Sequence, residues 1–360
     1  MSILIVVAML VLLIVIHELG HFIVAKLTGV KVEEFGIGYP PKAVSMGKIG
    51  ETEYTLNWLP FGGFVRLFGE SGEEHGKKSF TDASRLSQAA ILAAGVIANI
   101  VFAWMLFTVG FMVGMPTAVS EDVPGARLLI SGIVPSSPAA SSGLQVGDEI
   151  TSVTDAKGES SETLAPSSVA AFISERGGDA VSISYLREGE TGQITLVPAH
   201  AVLEDESGRP ALGVALTPIA EKRLPFFSAI YQAGNHTILS LYTVTKGLGG
   251  IFVDAISGGL NVKNLVGPVG LVSVVGDASG HGIGHLIGLA AFISVNLAII
   301  NLIPIPALDG GRLLFVGIEA IRGRAISHRV TALVNTLGFL AIVALMIAVT
   351  YNDIARLVFP

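Results

Sequence analysis

Residues 2–16 carry no charged side chain, and the apolar run they form ends in His17-Glu18-Leu19-Gly20-His21. A run of about 20 apolar residues can cross a bilayer as a helix, where every backbone group must be satisfied internally. Lipid offers no water to an ionisable group, so three of them closing such a run are costly and point to a function. The five residues read H-E-x-x-H. On a helix His17 and His21 stand at i and i+4, so both imidazoles project from one face and can share a metal ion. Glu18 lies beside that face, where a carboxylate can take a proton from a water that the metal activates. In a soluble helix the same pentapeptide is often a solvated surface. The apolar setting favours the metal reading.

The 360 residues are 51% hydrophobic and only 14% charged, with a mean hydropathy of +0.67. That is too apolar for an ordinary soluble protein and implies several membrane spans. Net charge is −7 and no basic run occurs, which argues against a nucleic-acid partner. With no cysteine, any metal must be held by histidine and carboxylate. The first run lacks a basic start and a small-residue cleavage site, so it reads as a retained span rather than a signal peptide.

The chain therefore reads as a polytopic α-helical membrane protein with four transmembrane helices, near 2–25, 88–113, 286–308 and 330–352. Two β-rich parts interrupt them. Residues 1–120 form an N-terminal membrane half: the HELGH helix, a strand-and-hairpin segment at 30–70 rich in Gly and Pro, and the second span. Asn99, in the middle of that span, reads as a helix-packing hydrogen bond. Residues 121–220 are soluble in composition and form one compact β domain. In residues 221–285, Leu224 to Thr245 reads as an amphipathic helix at the interface, and 262–275, around Gly267-Pro268-Val269-Gly270, as a loop. Residues 286–360 form the C-terminal membrane half. Its third span ends in Asn301-Leu-Ile-Pro-Ile-Pro-Ala-Leu-Asp309-Gly310-Gly311.

Catalytic zinc sites use three protein ligands and leave one position open. Asp309 is the best candidate for the third, since it stands at the end of an apolar span. Gly310-Gly311 leaves its surroundings uncrowded. Alone, it reads better as a cap on the break after Pro306. Parity favours the ligand: span one ends at His21, span two crosses back, and span three returns Asp309 to the same side. A further span at 226–245 would reverse this. By the same parity His281 and His285 lie on the far side, and His236 and His75 have no second ligand at helical spacing. Lys and Arg number eight in 26–87 and four in 309–329, against nine in the longer 115–285. The short basic connections should be cytoplasmic and the β domain extracytoplasmic.

Several motifs together resemble the site-2 protease family of intramembrane zinc metalloproteases. They are HELGH at 17–21, PFGGFVRL at 60–67, AAGVIAN at 93–99, GPVG at 267–270 and NLIPIPALDGGR at 301–312. The stretch "SGIVPSSPAASSGLQVGDEI" resembles a PDZ domain, which makes the bacterial sigma-E protease type the closest match. The resemblance implies Zn2+ held by His17, His21 and Asp309, with Glu18 as catalytic acid/base. It implies that Asn301 lies at the active site and holds substrate or the developing oxyanion. It also implies a multi-pass protein of the bacterial inner membrane, with the active site toward the cytoplasm. Its substrates would be single-span membrane proteins, such as trimmed anti-sigma factors or remnant signal peptides. Val96 stands where the family often has proline, and one PDZ domain stands where the best-known relatives have two. The PDZ-like domain binds a peptide at a sheet edge or serves only as a lid or filter. Two rivals remain. A membrane PDZ scaffold with structural zinc has no use for Glu18, and a zinc transporter would need a second acidic or histidine pair along the spans.

Overall fold

The computed structural model describes residues 2–70, 74–187, 189–200, 208–221, 223–257 and 267–358. In chain order the elements are α1 (Ser2–Leu27), β1 (Val32–Ile49), β2 (Thr52–Leu67), α2 (Arg85–Val113), β3 (Pro116–Ala118), β4 (Arg127–Ile133), α3 (Pro138–Ser142), β5 (Glu149–Asp155) and α4 (Pro166–Ser174). Then follow β6 (Val181–Arg187), β7 (Glu190–Leu196), β8 (Val214–Glu221), α5 (Phe226–Ser257), α6 (Pro268–Gly280), α7 (Ile283–Leu302), α8 (Asp309–Arg322) and α9 (His328–Val358). They divide into two compact units, Met1–Val113 with Leu224–Pro360, and Gly114–Arg223.

In the first unit, four helices among the described residues are long and apolar enough to cross a membrane: Ser2–Leu27, Arg85–Val113, Ile283–Leu302 and Arg329–Ala355. The buried stripe of α1 runs Val6, Met9, Leu13, His17, His21, Ala25, in steps of three and four residues. α1 meets α2 through small residues: a Cβ on Gly20 would lie 2.4 Å from the Ala94 carbonyl oxygen. Close backbone approach of this kind replaces the hydrophobic effect, which is missing between helices in lipid. α5 packs on α2, where Trp104 Nε1 donates to the Ile230 carbonyl at 3.1 Å. Its other face exposes Phe227, Tyr231, Ile238 and Tyr242.

The segment after α1 is a sheet of four rows made by two bent strands. Glu34 to Ile37 of β1 pair on both sides, with Glu53–Leu56 and with Gly63–Arg66 of β2, while Lys42–Ile49 pair with Thr52–Asn57. The row order is 42–49, 52–57, 32–37, 63–67. Residues 53–56 therefore have neighbours on both sides, whereas 63–67, like 42–49 at the opposite edge, pairs on one side only among the described residues. Buried Glu34 holds this sheet together, pairing with Arg66 and accepting from Thr55 Oγ1 at 2.7 Å.

The loop expected around GPVG is instead a helix start. Residues 262–266 lie outside the described residues, and α6 begins at Pro268, where a proline's missing N–H costs nothing. The orphan amides that begin a helix find a distant partner here. Asp353 of α9 is buried and accepts from Gly267 N at 3.2 Å and Gly270 N at 2.8 Å. A Cβ on Gly267 would lie 2.6 Å from its Oδ2. Sequence periodicity carries no trace of a cap supplied from 83 residues away.

The second unit is an antiparallel sheet ordered β3-β8-β4-β5-β6-β7. It begins earlier than residue 121, because the three-residue β3 pairs with β8 (Thr117 with Ala220). So short a strand at the end of an uncharged run gives no alternation to read. Leu128, Ile130, Val153, Ile183 and Leu212 form its core with Val169 and Phe172 of α4. Ser137 caps α3, its Oγ accepting from Ala140 N at 3.2 Å, and Gly143 ends it at φ 92°.

The Asp353 cap predicts a stability effect away from the histidines. Asp353→Ala should lower the thermal midpoint of the purified protein, with a loss of about 1–3 kcal/mol for amides left unpaired. Bound zinc should stay at the wild-type ratio. An unchanged midpoint would show that the cap contributes nothing.

Candidate metal centre

α1 supplies two donors because its buried stripe continues from Leu13 into His17 and His21, which are 7% and 8% exposed. Their rings stand nearly perpendicular, with centroids 4.8 Å apart. The third donor comes from the far end of the chain. Pro304 and Pro306 end α7, and Ala307 turns the chain at φ 75°, a conformation that costs a residue with a Cβ of order 1 kcal/mol. Asp309 is then the first residue of α8. The two glycines after it serve close packing, not open space. A Cβ on Gly310 or Gly311 would lie 2.3 Å from the carbonyl oxygen of Leu302 or Ile305.

These residues meet at one point. His17 Nε2 lies 2.9 Å from Asp309 Oδ2, His21 Nε2 lies 3.1 Å from the same oxygen, and the two Nε2 atoms are 3.2 Å apart. Among the described residues they are the one group of three or more side chains able to hold a metal. Zinc bound tetrahedrally to nitrogen and oxygen at about 2.0–2.1 Å sets its donors about 3.3 Å apart. The triangle is within a few tenths of an ångström of that. Its chemistry fits as well. His21 Nδ1 donates to the Ile91 carbonyl at 2.7 Å, which leaves the Nε2 lone pair pointing at the Asp309 carboxylate. Two acceptors at such a distance repel unless a proton or a cation lies between them. Two imidazoles and one carboxylate form a catalytic zinc donor set.

Glu18 borders this cluster and the sheet. Its Cγ is 3.7 Å from where a Cβ on Gly63 would stand, in the row 63–67. Glu70 joins that row to α8: Oε2 accepts from Leu67 N at 3.1 Å, and Oε1 from Arg312 Nη1 at 2.6 Å. Sequence reading missed this pair, since its members are 242 residues apart and Glu70 falls in a polar loop. It also missed what faces the histidines from α2. A Cβ on Gly95 would lie 2.5 Å from His21 Nε2 and 2.7 Å from His17 Nε2, and Asn99 Nδ2 is 3.4 Å from His17 Nδ1. Asn301 is half-buried in the last turn of α7, and among the described residues no hydrogen bond joins it to the three donors. The other four histidines weighed above are elsewhere. His75 pairs with Asp82, His236 packs on Phe107 and Phe111, and His281 and His285 pair with ring centroids 5.3 Å apart.

A two-histidine, one-carboxylate cluster with an adjoining glutamate, set among helices fit to cross a membrane, is the arrangement that a membrane metallopeptidase needs. The chain belongs to Peptidase family M50, the site-2 protease family, whose model matches residues 5–345. A Clostridium perfringens protein is 34% identical over 97% of this chain and 96% of its own length. The zinc metalloproteases RasP of Shouchella clausii and Geobacillus kaustophilus are each 28% identical over 96% of this chain, and over 96% and 95% of their own lengths. The protein is a membrane zinc metalloendopeptidase.

Proposed function

We propose that this chain cleaves the transmembrane segments of single-span membrane proteins within the bilayer, with His17, His21 and Asp309 holding the zinc ion and Glu18 moving the proton. One observation supports the reading: Glu18 stands between a three-donor cluster and row 63–67, an edge row of the sheet among the described residues.

A substrate helix has all its backbone groups bonded internally, so it must unwind before attack. Row 63–67 offers replacement hydrogen bonds by adding the substrate as a further strand. Rows 52–57 and 32–37 lie inside the sheet and cannot, and the other edge row, 42–49, is at the opposite side of the sheet from the row beside Glu18. This narrows the edge strand, since the whole segment 30–70 offers itself in the sequence. A zinc ion held by His17, His21 and Asp309 would supply Lewis acidity for the scissile carbonyl and for the attacking water. Glu18 takes the proton of that water and passes it to the amine nitrogen as the peptide bond breaks. Asn301, in the turn that leads to Asp309, is the side chain we assign to holding substrate or the developing oxyanion.

Substrates of this kind are proteins already trimmed outside the membrane, such as anti-sigma factors, or remnant signal peptides. The unit Gly114–Arg223 is PDZ-like and extracytoplasmic, and the cluster faces the cytoplasmic side of a bacterial inner membrane. The Lys and Arg bias of the short connections supports that orientation.

Four experiments test this. Glu18→Gln should retain zinc and lose proteolysis of a single-span substrate by at least about 100-fold, the scale of a lost general base. Asp309→Asn should weaken zinc, and Asp309→Ala should remove it. Wild-type turnover by Glu18→Gln, or full zinc in Asp309→Ala, would reject the corresponding role. Single prolines at 64–67 should impair cleavage at alternate positions, where the lost N–H faces the substrate. Uniform tolerance would mean that this edge does not hold the substrate. Cysteines placed at Lys77 and Gly158 should react with an impermeant reagent at Gly158 alone in intact cells. Labelling of both would overturn the orientation.

A further inference from the structure

Each histidine that gives Nε2 to a metal must place its other ring nitrogen. A partner there fixes the tautomer and the ring orientation, and such partners matter nearly as much as the ligands. For His21 the partner is plain: the Ile91 carbonyl accepts from Nδ1 at 2.7 Å. For His17 the side chain within reach is Asn99, with Nδ2 at 3.4 Å from Nδ1. Asn99 is fully buried, and its Oδ1 is the one buried side-chain polar atom without a hydrogen-bond partner among the described residues. An unpartnered buried amide oxygen costs about 1–3 kcal/mol. In a packed apolar helix that cost needs a counterpart.

With a cation on Nε2, neutral His17 carries its ring proton on Nδ1. A half-turn of the Asn99 amide brings Oδ1 to that proton. One rotation gives the orphan oxygen its partner and the ring its acceptor. The placement follows from helix geometry. Ile91, Gly95 and Asn99 recur every four residues on α2 and form one stripe. His17 and His21 are also four apart, on the facing α1. At the two ends of the stripe lie the two partners, and Gly95 between them makes room for both rings. Asn99 is itself held, since its own carbonyl accepts from Ser294 Oγ of α7 at 2.9 Å.

We infer that Asn99 is a positioning residue for the metal site, its amide oxygen accepting from Nδ1–H of His17 so that Nε2 faces the ion. It gives the Asn of AAGVIAN a role beyond helix packing. The inference rests on the ligand assignment proposed above.

Zinc affinity of the full chain in detergent tests it, read by competition with a chelator. The variants are Asn99→Leu, Asn99→Asp and His17→Ala, and thermal midpoints are taken in excess chelator. Asn99→Leu should bind zinc about 10–100-fold more weakly, the usual cost of losing such a partner. Its midpoint in chelator should stay near that of the wild type. Asn99→Asp keeps an acceptor at the same reach and should restore most of the affinity. If Asn99→Leu does not fold, Asn99→Ser, one atom too short to reach, takes its place. Wild-type affinity in the leucine or serine variant overturns the inference. So does equal loss in the leucine and aspartate variants, which would make Asn99 a packing residue. His17→Ala separates the two levels: if it retains full zinc affinity, the ligand assignment itself has failed. If it loses zinc while Asn99→Leu does not, only the role of Asn99 falls.

Discussion

The helices of the membrane unit converge on a contact between an imidazole and a carboxylate. The lone pair of His21 and the carboxylate of Asp309 are 3.1 Å apart inside apolar helices. Leaving a carboxylate unpaired in such surroundings costs several kcal/mol. A helix packing contact or a single hydrogen bond, at about 1 kcal/mol, cannot offset that. A bound zinc ion, with apparent binding energies of about 10–16 kcal/mol in structural sites, can. The cluster has the donor set and the spacing that a cation site needs. The helices that converge on it are fitted at close range: Gly20 against Ala94, Gly95 against both rings, Gly310 and Gly311 against the end of α7.

The same use of small residues explains how a three-donor cluster fits among helices apolar enough to cross a membrane. Between helices in a bilayer there is no hydrophobic force to gather side chains, so approach depends on residues that let backbones touch. Glycine at 20 and 95 brings α2 close enough for its Ile91 carbonyl to serve as a hydrogen-bond acceptor for α1. Prolines 304 and 306 and the left-handed Ala307 then aim the start of α8 at the same spot. The Glu70–Arg312 pair links that start to the edge row of the sheet, so the row that would hold substrate and the helix that carries Asp309 are tied together.

The chain shows how far a sequence reading reaches. An uncharged run gives a span, and four such runs give four helices apolar enough to cross, because lipid permits little else. H-E-x-x-H gives two donors on one helix face, because the α-helical period is a local property. Counting the crossings brought Asp309 to the level of His21, since each span reverses the side. Those parts depend on local periodicity and on the parity of the crossings.

What only the tertiary structure decided are the matches between distant backbones. The sheet rows show which strand has a free edge, because Phe35 pairs both with Val65 and with Tyr54, and register between strands is not written in alternation. GPVG became a helix start because Asp353, far along the chain, caps it. Asn99 reads from sequence as one polar residue in an apolar helix; only the crossing of α1 and α2 places it behind His17. The physical reason is the same in each case. Local sequence sets which conformations a segment can adopt, while a partner for a buried polar group depends on which backbone arrives beside it, and that is set by the packing of the whole unit.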